Sequence, residues 1–335
     1  MESLRTESVP PPPAVIGSIK AGFDTVAAHM TAILLPLALD LFLWLGPRLS
    51  MEKLFLAILP QMADAWRILG FSAEQIREIH QQNLELLPQL NLFWLFRTFP
   101  IGISSLVSSP FFSREMPSSP LGPPEVLQVT SDLNLLGWLI LLSIAGWIGG
   151  ALYFRLVAGF IPRNGFVPFL PTGRAIGQSV LISVFWSVIV LMLGIPIFLF
   201  LYILLGISPI IGQVAVFVVS LMSMWLIVPL FFWPHGVFLR NENVLTAIWS
   251  SWRLTRLTLP ASSMFVLAIF LLSSGLNYLW TIPANDSWMA LVGILGHAFV
   301  TTALLAGSFI YYRDLNIWMA TILERMRSKT LMRTR

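Results

Sequence analysis

The chain has 335 residues, of which 56% are apolar and 11% are charged, and its mean hydropathy is +0.80. Soluble domains carry about 25% charged residues, so this composition excludes an ordinary soluble protein and predicts a polytopic membrane protein. The chain contains no cysteine, which excludes disulfides, thiolate nucleophiles and sulfur ligands for a metal.

Six apolar stretches are long enough to cross a hydrocarbon core of about 30 Å as helices. The first is expected to be an uncleaved anchor, because no small-residue cleavage site follows a short apolar core. The third contains Gly194 and Pro196 and is expected to tilt, kink or begin at the interface. The predicted spans are 30–46, 135–160, 176–205, 211–233, 261–280 and 288–310.

Basic residues alternate with these spans in a strict order. Every second connection carries arginine or lysine, whereas the short connections 206–210 and 281–287 carry none. Because basic residues concentrate in cytoplasmic loops, both termini are predicted to be cytoplasmic in a multi-pass protein of the cell membrane. This topology also accounts for the net charge of +4, so nucleic-acid binding is not expected. The basic residues on this side are Arg5, Lys20, Arg155, Arg163, Arg174, Arg240, Arg253, Arg256 and those from Arg313 to Arg335.

Three segments beside the spans have apolar residues at helical spacing, all on the predicted cytoplasmic side. Two interpretations stay open for them: they lie among lipid headgroups as interfacial helices, or they pack against the ends of the bundle. The stripes are Val15, Ile19, Phe23 and Val26; Leu245, Ile248, Trp249 and Trp252; and Leu315, Trp318, Met319, Ile322 and Leu323.

The segment 47–134 is predicted to be an extracytoplasmic helical insertion. Helices are expected over 50–69 and 72–87, the second opened by Ser72. The apolar run 90–99 is too short to span, and it is expected on the outer leaflet, over the bundle mouth or in the core of a small cap. A Pro/Ser-rich, irregular and mobile loop follows over 100–124.

This organisation predicts an all-α transmembrane bundle in five consecutive parts. They are a cytoplasmic lead with an amphipathic helix (1–29), the first span (30–46), the insertion (47–134), a five-span bundle (135–312) and a basic amphipathic cytoplasmic tail (313–335).

Polar residues at membrane depth are costly and are therefore candidates for function. Asp40, Asn277 and His297 are expected at a similar depth in the outer halves of their spans. Together they would form either a proton or cation site or an internal polar clasp that fixes helix register.

Two further sets are candidates for structural roles. Arg155 and Asp314 are expected to form an ion pair at the cytoplasmic face, with anchoring in the headgroup layer as the alternative. Gly146 and Gly150 are one turn apart in the second span and permit close helix packing. Phosphate-loop, zinc-pair, nucleophile-elbow and dinucleotide motifs are all absent from the sequence, so no metal or other cofactor is expected and the sequence favours a non-enzyme.

Two short motifs carry a resemblance to a known family. The stretch 247–255, Ala-Ile-Trp-Ser-Ser-Trp-Arg-Leu-Thr, and the stretch 311–315, Tyr-Tyr-Arg-Asp-Leu, resemble the six-helix membrane domain of some bacterial glycerophosphodiester phosphodiesterases and of its stand-alone relatives. The resemblance covers residues 135–325. It implies a membrane module without the hydrolase, because those enzymes hydrolyse their substrate in a separate soluble barrel, which this chain has no room for.

The sequence therefore predicts a non-enzymatic membrane module that organises lipid or a partner protein, or that associates with further copies of itself. The alternatives are a small-solute or ion transporter working through Asp40, Asn277 and His297, and an intramembrane hydrolase or transferase. The last would need a nucleophile beside His235 or His297, and the sequence names none.

Overall fold

The computed structural model of the protein describes residues 11–68, 70–108, 119–161 and 172–333. Four parts of the sequence-based predictions lie outside the described residues: the start of the lead with Arg5, part of the Pro/Ser-rich loop, the connection with Arg163, and Arg335.

The described chain is all-α apart from two three-residue strands. Short 3₁₀ helices occupy Met30–Ile33, Leu87–Gln89 and Leu92–Phe96. The α-helices are α1 (Val15–Ala28), α2 (Leu34–Leu45), α3 (Glu52–Ile68), α4 (Ala73–Leu86), α5 (Asp132–Gly159), α6 (Thr172–Ile207), α7 (Pro209–Leu230), α8 (Trp233–Arg240), α9 (Val244–Leu257), α10 (Leu259–Trp280) and α11 (Ala290–Arg333).

Four of the described helices, α5, α6, α10 and α11, are long and apolar enough to cross a membrane. The count becomes five if α1 and the bent continuation Met30–Leu45 form one span, and α7 contributes a shorter apolar stretch, Pro209–Ser223. An all-α protein with several membrane-spanning helices is therefore confirmed at this level, whereas the count of six stays a prediction.

Two long helices are continuous. α6 continues through Pro196 as one helix, and α11 runs from the last predicted span into the tail without a break at residue 313. The stripe that begins at Leu315 therefore belongs to the same helix as the span, and Leu315 itself is fully buried.

Contacts divide the chain into two compact units. Unit 1 contains Met1–Met30, Phe154–Ser273 and Thr302–Arg335, and unit 2 contains Thr31–Tyr153 and Ser274–Thr301.

The core of unit 1 is aromatic. Phe265 and Tyr311 stack with ring centroids 3.9 Å apart, and Phe232 contacts both rings. α1 lies directly on α11, because a side chain at Gly22 would collide with the backbone of Ala303 and Gly307. This close approach requires glycine, and the sequence analysis did not identify it.

Unit 2 contains the insertion. Both predicted helices are present as α3 and α4, and α4 opens on a capping box in which Ser72 and Gln75 bond each other's backbone amides. Strands β1 (Arg48–Ser50) and β2 (Val126–Gln128) pair in parallel. The side chain of Arg48 donates to the carbonyls of Pro88 and Gln89 at 2.9 and 2.7 Å, and burial lowers its pKa.

The apolar run 90–99 packs inside unit 2. Phe93 is buried and contacts Phe42 of α2 and Trp138 of α5 edge to face. The loop after it is irregular, as expected, and its described residues 101–107 are mostly buried, while its mobility stays a prediction. Ile101 and Leu106 are completely buried there.

Candidate functional site

Asp40 lies on α2 and is 0% exposed. Its carboxylate accepts three hydrogen bonds from the loop: Ser105 Oγ at 2.5 Å, Leu106 N at 3.0 Å and Val107 N at 3.3 Å. Both carboxylate oxygens are therefore occupied by one short segment of backbone and its serine. The sequence did not identify Ser105, which is 65 residues away from Asp40 in the chain.

Asn277 and His297 are in direct contact. Asn277 Oδ1 lies 2.8 Å from His297 Nδ1, and His297 Nε2 is buried with no hydrogen-bond partner among the described residues. Asp40 and His297 each have a partner of their own, and Arg97 lies within electrostatic range of both. Two members of the predicted cluster, Asn277 and His297, are thus joined by a hydrogen bond, whereas Asp40 bonds the loop.

The two candidate glycines of α5 face residues 95–102, which precede the loop segment that binds Asp40. A side chain at Gly146 would meet Leu95 O and Phe96 O, and one at Gly150 would meet the backbone of Gly102. Their close partner is therefore the end of the 3₁₀ helix and the loop after it. Trp147, on the same helix, donates its indole N–H to Phe99 O at 3.1 Å.

At the other candidate pair, Asp314 forms an ion pair with Arg313, with Nε and Oδ1 2.8 Å apart. The pairing of Asp314 with Arg155 stays a prediction.

The structure places a serine beside His235, a contact that the sequence analysis did not predict. Ser308 Oγ is 2.7 Å from His235 Nε2, and the rings of Phe309 and Tyr312 pack on the imidazole. Burial lowers the pKa of His235 to about 3, so the ring is neutral near pH 7. Both residues are buried, and we interpret the pair as a polar clasp within an aromatic core.

The turn from α8 into α9 is fixed by a polar network. Asn241 takes a left-handed conformation (φ 57°), which lets the chain reverse after α8. Arg240 pairs with Glu242 at 3.2 Å and donates to Asn316 Oδ1 at 2.8 Å. Glu242 in turn accepts from Ser250 Oγ at 2.7 Å. α9 is therefore held to α8 and α11 by its inner face.

The outer face of α9 is apolar and uncovered. Leu245, Trp249 and Trp252 are 80%, 72% and 42% exposed, and Arg253 and Arg256 are exposed beside them. We call these five residues the α9 face. The opposite side of the helix is buried through Val244, Ala247, Ser251, Leu254 and Thr255.

The other two amphipathic stripes are packed to a greater extent. Val26 of α1 and Leu315 of α11 are buried, and the remaining positions of the α1 stripe are half-buried. Among the three predicted interfacial segments, α9 is thus the one whose large aromatic side chains are most exposed.

No known protein family, characterised protein or solved structure matches this chain.

Proposed function

We propose that the protein is a non-enzymatic membrane module that organises anionic phospholipid at its cytoplasmic side through the α9 face. The observation that carries the proposal is the exposure of Leu245, Trp249 and Trp252 on a helix whose other side is firmly packed. Tryptophan suits the headgroup layer because its ring is apolar and its N–H is polar, and arginine attracts anionic lipid.

Contacts within the units support the predicted grouping of the connections on two sides of the membrane, on which the topology of six spans with cytoplasmic termini depends. In unit 1, Arg174 before the third predicted span bonds Asn243, which lies after the fourth, and Arg240 bonds Asn316 after the last span. In unit 2, Trp44 at the end of the first predicted span donates to Asn285 O at 2.8 Å in the connection before the last. Segments assigned to one side of the membrane by charge thus contact each other.

The resemblance to the membrane domain of glycerophosphodiester phosphodiesterases is part of this proposal. On that view the chain is a stand-alone relative of the domain, and its function concerns the bilayer itself or a partner protein within it.

The test uses the full chain reconstituted in phosphatidylcholine bilayers that contain brominated lipid, which quenches nearby tryptophan. The chain has 13 tryptophans, so the signal of one is the difference between wild type and Trp249→Phe. We expect brominated phosphatidylglycerol to quench the Trp249 component more strongly than brominated phosphatidylcholine does.

The arginines supply the expected magnitude. Each basic residue near an anionic surface contributes about 1 kcal/mol, so Arg253→Gln and Arg256→Gln should each lower the preference for phosphatidylglycerol about fivefold. Arg77→Gln removes an exposed arginine from the insertion and is the matched control. A Trp249 component that neither brominated lipid quenches would contradict the proposal and favour a protein partner on the α9 face.

Transport of a small solute or ion is the second candidate, favoured by the buried Asn277–His297 pair with its unpartnered Nε2. It predicts that proteoliposomes conduct a proton or cation and that Asp40→Asn abolishes the flux while the fold persists. Absence of flux in wild-type proteoliposomes under both proton and cation gradients would contradict it.

A further inference from the structure

A cavity of about 750 Å³ lies in unit 1 between the first turns of α6 and the start of α9. Its volume is in the range of pockets that hold small organic ligands, about 300–1,000 Å³. Most of its wall is apolar. The residues that line it are Gln178, Leu181, Ile182 and Phe185 of α6, and Asn243, Val244, Leu245, Thr246 and Ile248 at the start of α9.

The polar residues of this cavity are at one end. Arg174 Nη2 and Gln178 Nε2 both donate to Asn243 Oδ1, at 2.8 and 3.2 Å. Asn243 is the N-cap residue of α9, yet its side chain does not cap the helix. An asparagine at this position normally accepts from the first turn of its own helix. Here it accepts from Arg174, which does not line the cavity itself but lies directly beside the lining residue Asn243.

One side-chain oxygen next to this hydrogen-bond network lacks a partner. Gln178 Oε1 is buried and has no hydrogen-bond partner among the described residues. An unsatisfied buried acceptor is costly, and a ligand that brings a hydroxyl or ammonium donor would satisfy it. Beside Asn243 there is thus an exposed cation, Arg174, and a buried acceptor without a partner among the described residues, Gln178 Oε1.

The cavity wall of α6 together with Arg174, two helical turns before Leu181, matches the thickness of one leaflet of a bilayer. Arg174, Gln178, Leu181 and Phe185 recur at helical spacing on one side of α6. Eleven residues separate the first from the last, which is about 16 Å along a helix. Half of a hydrocarbon core is about 15 Å thick. A chain whose phosphate lies at Arg174 therefore reaches the midplane near Phe185.

We infer that this groove binds one anionic glycerophospholipid, with its phosphate at Arg174, a headgroup donor at Gln178 and an acyl chain against Leu181 and Phe185. The inference rests on the proposed function and assigns a discrete site to it. Charge complementarity selects the occupant, because Arg174, bonded to the lining residue Asn243, favours an anion and the cavity wall is apolar.

The experiment is native mass spectrometry of the full chain, released from detergent micelles after incubation with dioleoyl phosphatidylglycerol or dioleoyl phosphatidylcholine. We expect one phosphatidylglycerol to be retained per chain and phosphatidylcholine to be retained at least tenfold less. Arg174→Gln should weaken retention about tenfold, as expected for loss of a charged hydrogen bond. Lys20→Gln removes an exposed positive charge from α1 and should retain the lipid as wild type does.

A steric variant tests the groove independently of charge. Leu181 is exposed towards the cavity, so Leu181→Trp should fill the groove and abolish retention without burdening the protein core. Leu191→Trp, at an exposed position further along α6, is the matched control. Undiminished retention in both Arg174→Gln and Leu181→Trp would overturn the inference, as would equal retention of the two lipids. A dimer that forms in place of the lipid complex would overturn it too, because a second copy would then occupy the groove.

The two proposals fail in different ways. If the groove binds no lipid, brominated phosphatidylglycerol should still quench Trp249. If the α9 face does not contact lipid, Leu181→Trp should still abolish the retention of phosphatidylglycerol.

Discussion

Removal of the Asp40 side chain tests whether this residue is a clasp or a transport site. In Asp40→Ala, the amides of Leu106 and Val107 lose their acceptor while they remain buried. A buried donor without a partner costs about 1–3 kcal/mol. Two such donors at the low end of that range cost about 2 kcal/mol, which raises the opening equilibrium of the loop about 30-fold.

The assay is hydrogen exchange of the full chain in a lipid nanodisc, followed on peptides that contain residues 101–108. We expect the protection of the Leu106 and Val107 amides to fall about 30-fold in Asp40→Ala, since local opening exposes them to solvent. Asp40→Asn keeps one acceptor oxygen and should lose less protection, about tenfold. Asp286→Asn, at an exposed carboxylate of the same unit, is the control and should exchange as wild type does.

The clasp is refuted if both Asp40 variants exchange at the wild-type rate. If, in addition, wild type conducts protons or cations and Asp40→Asn abolishes that flux, the residue acts in transport. A faster exchange without any flux in wild type leaves Asp40 with the structural role that its three hydrogen bonds describe.

Two further predictions concern unit 1, both measured by thermal unfolding in a nonionic detergent. Gly22→Ala should destabilise the protein by about 1–3 kcal/mol, because the new methyl group collides with the backbone of Gly307. The control Gly17→Ala meets only ordinary contacts and should be neutral or stabilising. Equal unfolding temperatures of the two variants would contradict the close crossing of α1 and α11. Burial lowers the pKa of His235 to about 3, so on acidification this histidine takes up a proton in the unfolded chain before it does so in the folded one. The free energy of unfolding should therefore fall between pH 6.5 and pH 3, by about 1.4 kcal/mol per pH unit. His235→Gln should lack this part of the pH dependence, and identical profiles would contradict the burial of the neutral ring.

The sequence predicted helix positions well because each span and each helix of the insertion has its own local signal. α4 is an example: Ser72 and the residues after it specify the capping box with no help from the rest of the chain. α9 is another, since its stripe of Leu245, Trp249 and Trp252 is periodic in the sequence and continuous on the helix.

The partners of the polar residues could not be predicted, because they are set by contacts between distant parts of the chain. Asp40 bonds a loop whose serine and proline content predicted only an irregular segment, and the apolar residues Ile101, Ile103 and Leu106 were the signal that could have revealed its burial. Arg174 and Asn243 belong to different helices, so their hydrogen bond had no signature in either segment.

Small residues identify the packed side of the amphipathic helices better than hydrophobic periodicity does. The buried positions of α1 are Ser18, Gly22 and Val26, and those of α9 include Ala247, Ser251 and Thr255, each set spaced by one turn. In water the apolar stripe of a helix must be buried, but in a membrane a large apolar side chain is equally stable against lipid. Close packing then falls to residues small enough to let backbones approach. By this criterion the tryptophans of α9 face away from the protein core because the small residues already occupy the packed side.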